Sequence, residues 1–331
     1  MSQDPSVPSV PSVAKPAAAP SVAAIDVRGL SRTFGSFVAV KDLSFAVNQG
    51  EIFGFLGANG AGKSTTIRMM CGLLKPSSGT ALIGGIDVSR EPEGVKRTIG
   101  YMSQKFSLYE ALTVDQNIRF FGGIYGIPRD RFEARRKFVI EMAGLAGREN
   151  TLTHDLPGGW RQRLALGCAI LHEPKIVFLD ESTGGVDPLS RRRFWDLIGD
   201  LSRQGVTVLV TTHYLDEAEH CHRIAIIQAG QLAALGTTTE LKQTFADRPI
   251  VEIHASKPVE AMAILDRDGR VEKTSLFGTA VHAVLKDRMT DPALLASTLR
   301  QGGIDVASID AVSPSLEDVF LDVVERLGAA Q

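Results

Sequence analysis

Two hydrophobic periodicities divide this chain into predicted strands and helices. Over residues 25–47 apolar and polar residues alternate on either side of Phe34 and Gly35, which predicts an antiparallel hairpin. Short runs that are apolar at nearly every position predict strands buried on both faces. These runs cover residues 52–56, 98–102, 176–179 and 206–210. Helical patterns separate the runs, so the alternation is that of an α/β protein.

Helical spacing occupies residues 112–146, with a break at residues 126–128, and recurs at residues 161–171 and 189–201. Beyond Gly236 the pattern changes to strands at residues 250–255, 271–276, 280–285 and 304–309 and helices at 259–265, 292–301 and 315–327. The first six of these follow the order β-α-β-β-α-β, which predicts a ferredoxin-like fold. Residues 248–331 are therefore predicted to form a small α+β accessory domain, with either a dimer-contact or regulatory role or a purely structural one.

Composition changes this picture mainly at the N-terminus. Residues 1–23 repeat Pro-Ser-Val before a run of alanines and prolines, which predicts a disordered tail. The whole chain is 44% apolar and 22% charged, as in a globular protein. No apolar run approaches the roughly 20 residues of a membrane helix, and no signal peptide is visible, so a cytoplasmic protein is predicted. A formal charge of −2 argues against a nucleic-acid partner.

Candidate chemistry begins after the apolar run at residues 52–56. A glycine-rich loop there leads into a helical pattern, which is the context that a phosphate-binding loop requires. Its glycines let backbone N–H groups point at a polyphosphate, Lys63 adds a cation for the terminal phosphates, and Ser64 is a predicted Mg²⁺ ligand. The sequence therefore predicts binding of a nucleoside triphosphate. The predicted binding residues are Gly57, Ala58, Asn59, Gly60, Ala61, Gly62, Lys63, Ser64 and Thr65.

Polar side chains follow three of the other buried runs. Asp180 and Glu181 come after residues 176–179, where Asp180 is predicted to hold Mg²⁺ and Glu181 to orient and deprotonate a water molecule. Gln104 and His213 end two further strands. Because the carboxyl ends of parallel strands share one edge of a sheet, these side chains are expected to meet on the ligand side, with His213 contacting the γ-phosphate.

In their order along the chain, these motifs resemble the ATP-binding subunit of an ABC transporter. The resemblance covers residues 25–241, and it is closest to drug, polysaccharide and lipid exporters. It implies a P-loop NTPase fold of ABC type at residues 24–241, with a mostly parallel sheet core, an antiparallel β subdomain and a helical subdomain. The motifs are the phosphate loop, Gln104, Gly158-Gly159, Asp180-Glu181, Asp187, His213 to Ala218, and Pro314 to Phe320.

The resemblance also implies partners and roles. Two subunits sandwich two ATP molecules, each held by one phosphate loop and the partner's helix at Gly158-Gly159, and a separate membrane permease completes the system. The second subunit is either an identical chain or a paralogue, and the pair lies on the cytoplasmic face of the membrane. The implied roles are base stacking for Phe34, Mg²⁺ binding and coupling for Gln104, catalytic base for Glu181, cross-dimer contact for Asp187 and γ-phosphate switch for His213. On spacing alone, Phe34 could instead be an aromatic residue of the hydrophobic core.

Three positions depart from the family pattern. The family usually has Leu-Ser-Gly-Gly-Gln where this chain has Leu156-Pro157-Gly158-Gly159-Trp160, so a serine hydroxyl and a glutamine are missing. Ser182 stands where a proline usually follows the acidic pair. We interpret these changes as the mark of a subtype within the family, whose nucleotide site is functional.

The leading hypothesis is ATP hydrolysis that drives export through a separate membrane subunit. One alternative is a cytosolic ATPase of the same fold that acts on nucleic acid or ribosomes. The sequence counts against this alternative, because it shows no basic stripe and no long coiled coil. The other is a nucleotide-gated switch with little turnover. Glu181 counts against this, since a site that does not hydrolyse has no need of a base.

Overall fold

The computed structural model describes residues 23–104, 108–287 and 290–329. Except for Ala23, the predicted disordered tail lies outside these residues. The strands are β1 (Ala23–Phe34), β2 (Phe37–Asn48), β3 (Ile52–Leu56), β4 (Ser78–Ile83), β5 (Ile86–Asp87), β6 (Ile99–Met102), β7 (Ile176–Asp180), β8 (Thr207–Thr212), β9 (Arg223–Gln228), β10 (Gln231–Gly236), β11 (Ile250–Ala255), β12 (Val271–Phe277), β13 (Ala280–Leu285) and β14 (Val306–Val312). The α-helices are α1 (Lys63–Met70), α2 (Pro92–Thr98), α3 (Val114–Ile124), α4 (Arg129–Ala143), α5 (Gly158–Ala169), α6 (Pro188–Arg203), α7 (Leu215–Ala218), α8 (Thr238–Lys242), α9 (Pro258–Leu265), α10 (Pro292–Gln301) and α11 (Leu316–Ala329).

A six-stranded sheet with the order β10-β9-β3-β8-β7-β6 lies at the centre of the first part of the chain. Its neighbouring strands are parallel except for β9 and β10, which confirms the predicted mostly parallel core. Every residue of β3, β7 and β8 is buried, and this explains why those runs are almost wholly apolar. The carboxyl ends of β3, β6, β7 and β8 meet at one edge, where open α/β sheets bind ligands.

An antiparallel sheet with the order β2-β1-β4-β5 packs against the central sheet. β1 pairs with β2 as far as Phe34, so the predicted hairpin is confirmed. Phe45 of β2 stacks on Phe53 of β3, with ring centroids 5.5 Å apart. The hairpin also contacts the start of α1, because a Cβ atom on Gly62 would come within 2.7 Å of the Ala39 carbonyl oxygen.

The helices α3, α4 and α5 form a layer with its own hydrophobic core. α5 begins at Gly158, earlier than the predicted start at Arg161, and Pro157 is its N-cap rather than a residue of its first turn. The Pro157 carbonyl accepts the N–H groups of Trp160 and Arg161, at 2.9 and 3.1 Å, so this proline starts the helical hydrogen bonding without needing a donor of its own. Trp160 packs on this layer beneath the Arg148 guanidinium. In the described ranges no helix has the length and hydrophobicity to cross a membrane.

The last part of the chain forms an antiparallel sheet with the order β12-β13-β11-β14. Together with α9 and α10 it gives the β-α-β-β-α-β order and the strand arrangement of a ferredoxin-like fold, as predicted. The final strand begins at Val306, whereas the sequence pattern placed its start at Ile304. Ile304 instead lies in the turn that closes α10, because its N–H donates to the Leu299 carbonyl at 3.0 Å. The apolar character of Ile304 reflects burial in that turn.

The helix α11 joins the two parts of the chain. Its Leu316, Val319 and Val323 are buried in one hydrophobic core with residues of β8, β9 and the C-terminal sheet. Asp322, on the same helix, is 3% exposed and accepts two hydrogen bonds from the Arg248 guanidinium, at 3.0 and 2.8 Å. α11 is therefore fixed both by apolar packing and by a buried carboxylate.

Replacement of Asp322 by asparagine is expected to lower the free energy of unfolding by about 2 kcal/mol or more, because it removes the buried carboxylate that pairs with both Arg248 and Lys273. Burial opposes ionisation of Asp322, but hydrogen bonds from Arg248 and Lys273 outweigh it and lower the pKa of Asp322. A depressed carboxyl pKa stabilises the fold above the unfolded pKa, near pH 4, and this contribution is lost as pH falls through the folded pKa. The difference between Asp322→Asn and wild type should therefore shrink in acid.

Urea unfolding at pH 7 and at lower pH measures this difference. Glu325→Gln is the matched control, since Glu325 also contacts Lys273, at 2.7 Å, but is 56% exposed. It should change the free energy of unfolding by less than about 1 kcal/mol. Equal effects of the two substitutions would contradict the assignment of Asp322 as a buried anchor.

Candidate functional site

The loop between β3 and α1 has the geometry of a phosphate-binding loop. Gly60 and Gly62 have left-handed φ values of 81° and 101°, which favour glycine. Gly57 has no room for a side chain, since a Cβ atom there would come within 2.5 Å of the Ile227 carbonyl oxygen. α1 begins directly after Gly62, so its free N–H groups and positive end face the loop. The orientation of α1 and the positions of the glycines together give the loop the anion-binding geometry that the sequence predicts.

Lys63 is buried and its ammonium makes three contacts at the base of this loop. Nζ donates to the carbonyl oxygens of Gly57, at 2.8 Å, and Ala58, at 3.2 Å. It also lies 3.1 Å from Glu181 Oε1, in an ion pair whose side chains are 3% and 12% exposed. The lysine charge is thus held between the loop and the end of β7.

The second chemical group is formed by Ser64, Asp180 and Thr211. Ser64 Oγ donates to Asp180 Oδ1 at 2.9 Å, and Thr211 Oγ1 donates to the same oxygen at 2.7 Å. A hydroxyl and a carboxylate are ligands of the hard oxygen type that Mg²⁺ prefers. In the described part of the chain no cluster of three or more His, Cys, Asp or Glu side chains can hold a metal. The donors at Ser64 and Asp180 therefore fit a cation that takes most of its ligands from phosphate and water.

Glu181 lies at the meeting point of three strand ends. Its φ is 47°, an uncommon value for a residue with a side chain, and its N–H is fixed by the Thr211 carbonyl at 3.2 Å and Oγ1 at 2.9 Å. Gln104 Nε2 donates to Glu181 Oε2 at 2.9 Å. His213 Nδ1 lies 3.8 Å from the same oxygen. The predicted convergence of Gln104, Glu181 and His213 is present in the structure.

Two other titratable groups near Asp180 are kept protonated. Burial raises the pKa of Tyr101 to about 12, with a further contribution from the charge of Asp180. Burial likewise raises the pKa of the Cys71 thiol well above its ordinary value. Neither group exchanges a proton near neutral pH.

Gly158, Gly159 and Asp187 form a second group around the starts of α5 and α6. A Cβ atom on Gly159 would lie 2.2 Å from Ser190 Oγ, so this glycine is required by packing between the two helices. A Cβ atom on Gly158 would have no heavy atom within 4 Å. Asp187 is exposed and caps α6 by accepting the Ser190 N–H at 2.9 Å, which lowers its pKa. Of these two glycines, Gly158 is therefore the one with an open face.

Several features were not anticipated from the sequence. Thr211 connects Asp180 to Glu181, and Gln162, fully buried, donates to the Ser182 carbonyl at 2.9 Å and so ties α5 to the segment after Glu181. The Thr-Thr-His run was a visible signal for Thr211, but no role follows from spacing alone. Phe34 is 44% exposed at the hairpin tip, with the Arg32 guanidinium 4.5 Å above its ring. An exposed ring is not the core aromatic that was the alternative, and base stacking stays a proposal.

Comparison with protein families gives two matches along the chain. Residues 40–184 match the ABC transporter family, and residues 236–324 match the family described as ATP-binding protein DrrA1-3-like, C-terminal domain. The second match covers all of the ferredoxin-like part and most of α11.

Individual proteins are similar over one or both parts. The probable multidrug ABC transporter ATP-binding protein YbhF of Escherichia coli is 50% identical over 228 residues, which are 69% of this chain and only 39% of YbhF. The linearmycin resistance ATP-binding protein LnrL of Bacillus subtilis is 33% identical over 91% of this chain and 98% of its own length. A dimeric ATP-binding cassette solved in a post-hydrolysis state with ADP and Pi is 25% identical, with a TM-score of 0.59 over 64% of this chain and 98% of that one.

Proposed function

Because this chain belongs to the ATP-binding proteins of ABC transporters, we propose that it hydrolyses ATP and thereby drives export through a separate membrane permease. The observation that carries the proposal is the cluster at the sheet edge, where Lys63, the Ser64–Asp180 pair and the Gln104–Glu181–His213 group all meet. Export is supported by LnrL, which is named for resistance to linearmycin and matches nearly the whole chain.

In the proposed reaction the loop N–H groups and Lys63 hold the β- and γ-phosphates in line with a water molecule beside Glu181. Glu181 accepts a proton from that water as it attacks, and the γ-phosphoryl group leaves ADP as inorganic phosphate. Ser64, Asp180 and Gln104 are proposed to hold Mg²⁺, which neutralises charge on the phosphate oxygens when it is bound. His213, whose Nδ1 lies 3.8 Å from Glu181 Oε2, is proposed to orient the γ-phosphate. Phe34 is proposed to stack on the adenine.

A solved ATP-binding cassette with ADP and Pi is a dimer, and we propose that this chain likewise works as one of a pair with a membrane permease. We propose that Gly158, Gly159 and Asp187 complete the second nucleotide site of such a pair. We propose that the chain lies on the cytoplasmic face of the membrane, where it is bound to its permease. We propose residues 24–241 as the ATP-binding domain and residues 248–331 as the accessory domain.

The proposal is tested by purifying the tagged full chain from detergent-solubilised membranes, identifying its companions by mass spectrometry and measuring phosphate release. We expect a multi-span membrane protein in the eluate and Mg²⁺-dependent ATP hydrolysis. Recovery with ribosomes or nucleic acid, with stimulation by them, would replace export by the cytosolic alternative. Tight ATP binding without phosphate release would indicate the non-hydrolysing switch.

The variant signature gives a further prediction. Gly158→Asp should lower ATP turnover at least tenfold, because it places a carboxylate on the open face that we assign to the partner's γ-phosphate. An acidic residue in the first turn stabilises a helix, so misfolding would not explain the loss. Pro157→Ser should change turnover by less than about tenfold, or 1.4 kcal/mol, because the backbone N–H groups of α5 remain.

The measurement is the steady-state turnover of the permease complex, with Gly158→Ala as the neutral control, expected within about threefold of wild type. Gly159→Asp is unsuitable, since its side chain would collide with Ser190 inside the same chain. Wild-type turnover in Gly158→Asp would show that the start of α5 does not face a nucleotide. A large rise in Pro157→Ser would show that the natural signature is impaired.

A further inference from the structure

The first turn of α6 is connected to His213 by an arginine. Arg191 begins the helical hydrogen bonding of α6, its N–H donating to the Asp187 carbonyl at 2.9 Å. Its guanidinium carbon lies 4.6 Å from the centre of the Tyr214 ring. The Tyr214 ring in turn packs on the His213 ring, with centroids 4.1 Å apart. A cation on α6 therefore holds the aromatic ring that supports the histidine.

A second path runs through a buried acid. Glu217 is 1% exposed, and its Oε2 accepts a hydrogen bond from Thr212 Oγ1 at 2.7 Å. The same Thr212 oxygen accepts the Tyr214 N–H at 2.9 Å. Glu217 thus fixes the residues on both sides of His213, and so the backbone from which the imidazole projects.

Arg191 is the cation that faces this acid. Its Nε lies 3.5 Å from Glu217 Oε1, and within the described residues neither atom has a hydrogen-bond partner. This separation is roughly half an ångström or more beyond a charge-assisted hydrogen bond, so the pair is an ion pair with room to tighten. The other acid near the guanidinium, Asp216, is exposed, with Oδ2 3.5 Å from Nη1. The buried charge of Glu217 is therefore balanced mainly by Arg191.

We propose that Arg191 is a positioning residue for ATP hydrolysis, which sets the position of the His213 imidazole through Glu217 and Tyr214. This rests on the proposed role of His213 at the γ-phosphate. The turn that carries Arg191 also carries Ser190, which packs on Gly159 at the start of α5, and follows Asp187. His213 is thereby linked to the part of the chain that is proposed to contact the partner's nucleotide.

A planar guanidinium is suited to this task. Its carbon lies 4.6 Å from the centre of the Tyr214 ring while its Nε lies 3.5 Å from Glu217 Oε1, whereas a lysine ammonium satisfies one contact at a time. We therefore expect Arg191→Met to lower kcat about tenfold, as small displacements of catalytic groups do, with the KM for ATP within about twofold of wild type. Arg191→Lys keeps the positive charge beside Glu217, so its thermal stability should be that of wild type, but it should recover only part of the kcat.

The matched control is Arg192→Met, which removes the same charge from the next position of α6. Arg192 is exposed, so kcat and KM should both stay at wild-type values. Steady-state hydrolysis by the permease complex and thermal unfolding are measured for all variants. A lower melting temperature in Arg191→Met with unchanged kcat would assign Arg191 a structural role and overturn the proposal. So would equal kcat values for Arg191→Met and Arg192→Met.

A second readout does not depend on turnover. In protein labelled with ¹⁵N-histidine, the His213 ring signals are assigned by their loss in His213→Ala. They should move in Arg191→Met and Arg191→Lys and stay in place in Arg192→Met. Unchanged His213 signals in both Arg191 variants would overturn the positioning role. If wild type hydrolysed no ATP, the proposed function would fail, while these spectra would still decide whether Arg191 positions His213.

Discussion

Glu181→Gln is expected to lower kcat for ATP hydrolysis by about a thousandfold, or 4 kcal/mol, while ATP still binds. The amide keeps the size and the backbone conformation of Glu181, and it still offers an oxygen to Gln104. It has no basic oxygen to accept the proton of the attacking water. We propose that the subunit pair separates only after hydrolysis, so the variant should also accumulate as a dimer with bound ATP.

Single-turnover phosphate release and size-exclusion chromatography with ATP and Mg²⁺ measure these two effects. Glu219→Gln is the matched control, since Glu219 is exposed and its carboxylate contacts Lys242, away from the strand ends. It should behave as wild type in both assays. A Glu181→Gln variant that hydrolyses ATP within tenfold of wild type would remove Glu181 from the role of base. One that stays monomeric would contradict the sandwich dimer.

Lys63→Ala is expected to weaken ATP binding by at least a hundredfold, or about 2.7 kcal/mol. The loop otherwise offers neutral N–H donors, so Lys63 supplies the cation that faces the terminal phosphates. Its ammonium is also the partner of Glu181 at 3.1 Å, and its loss leaves that carboxylate without compensation beside the phosphates. Repulsion then adds to the lost attraction.

Binding of a fluorescent ATP analogue measures the affinity directly. Lys175→Ala is the control, because Lys175 is an exposed lysine at the other end of β7. It should leave the dissociation constant unchanged. An affinity of Lys63→Ala within threefold of wild type would show that the loop binds nucleotide without this cation, and the assignment of the site would then be wrong.

The central fold was readable from the sequence because its strands are buried on both faces. β3 was predicted with the bounds it has, since a run that is apolar at every position but Gly54 lies between Glu51 and Gly57. The ferredoxin-like order was likewise visible, although Ile304 was assigned to a strand. Burial alone does not distinguish a strand residue from one that closes the end of a helix.

The strand-end residues could be predicted and their connections could not. Parallel strands bring Asp180, Glu181 and His213 to one edge, but the register that sets Asp180 beside Thr211 is a property of the folded sheet. The same holds for Gly159, which the family resemblance assigns to nucleotide binding. The structure adds the packing of Ser190 from α6, which no local pattern contains.

The position of α11 has a consequence for biosynthesis. Leu316, Val319 and Val323 complete a core to which β8 and β9 contribute, yet α11 is synthesised after every element that it contacts. Domains otherwise tend to fold as they leave the ribosome, the N-terminal one first. Here the earlier domain leaves the ribosome with an open apolar surface, which stays exposed to solvent until α11 covers it. Chaperone binding during translation should therefore persist until the last helix has emerged, and nascent chains that stall before Leu316 should aggregate or be degraded.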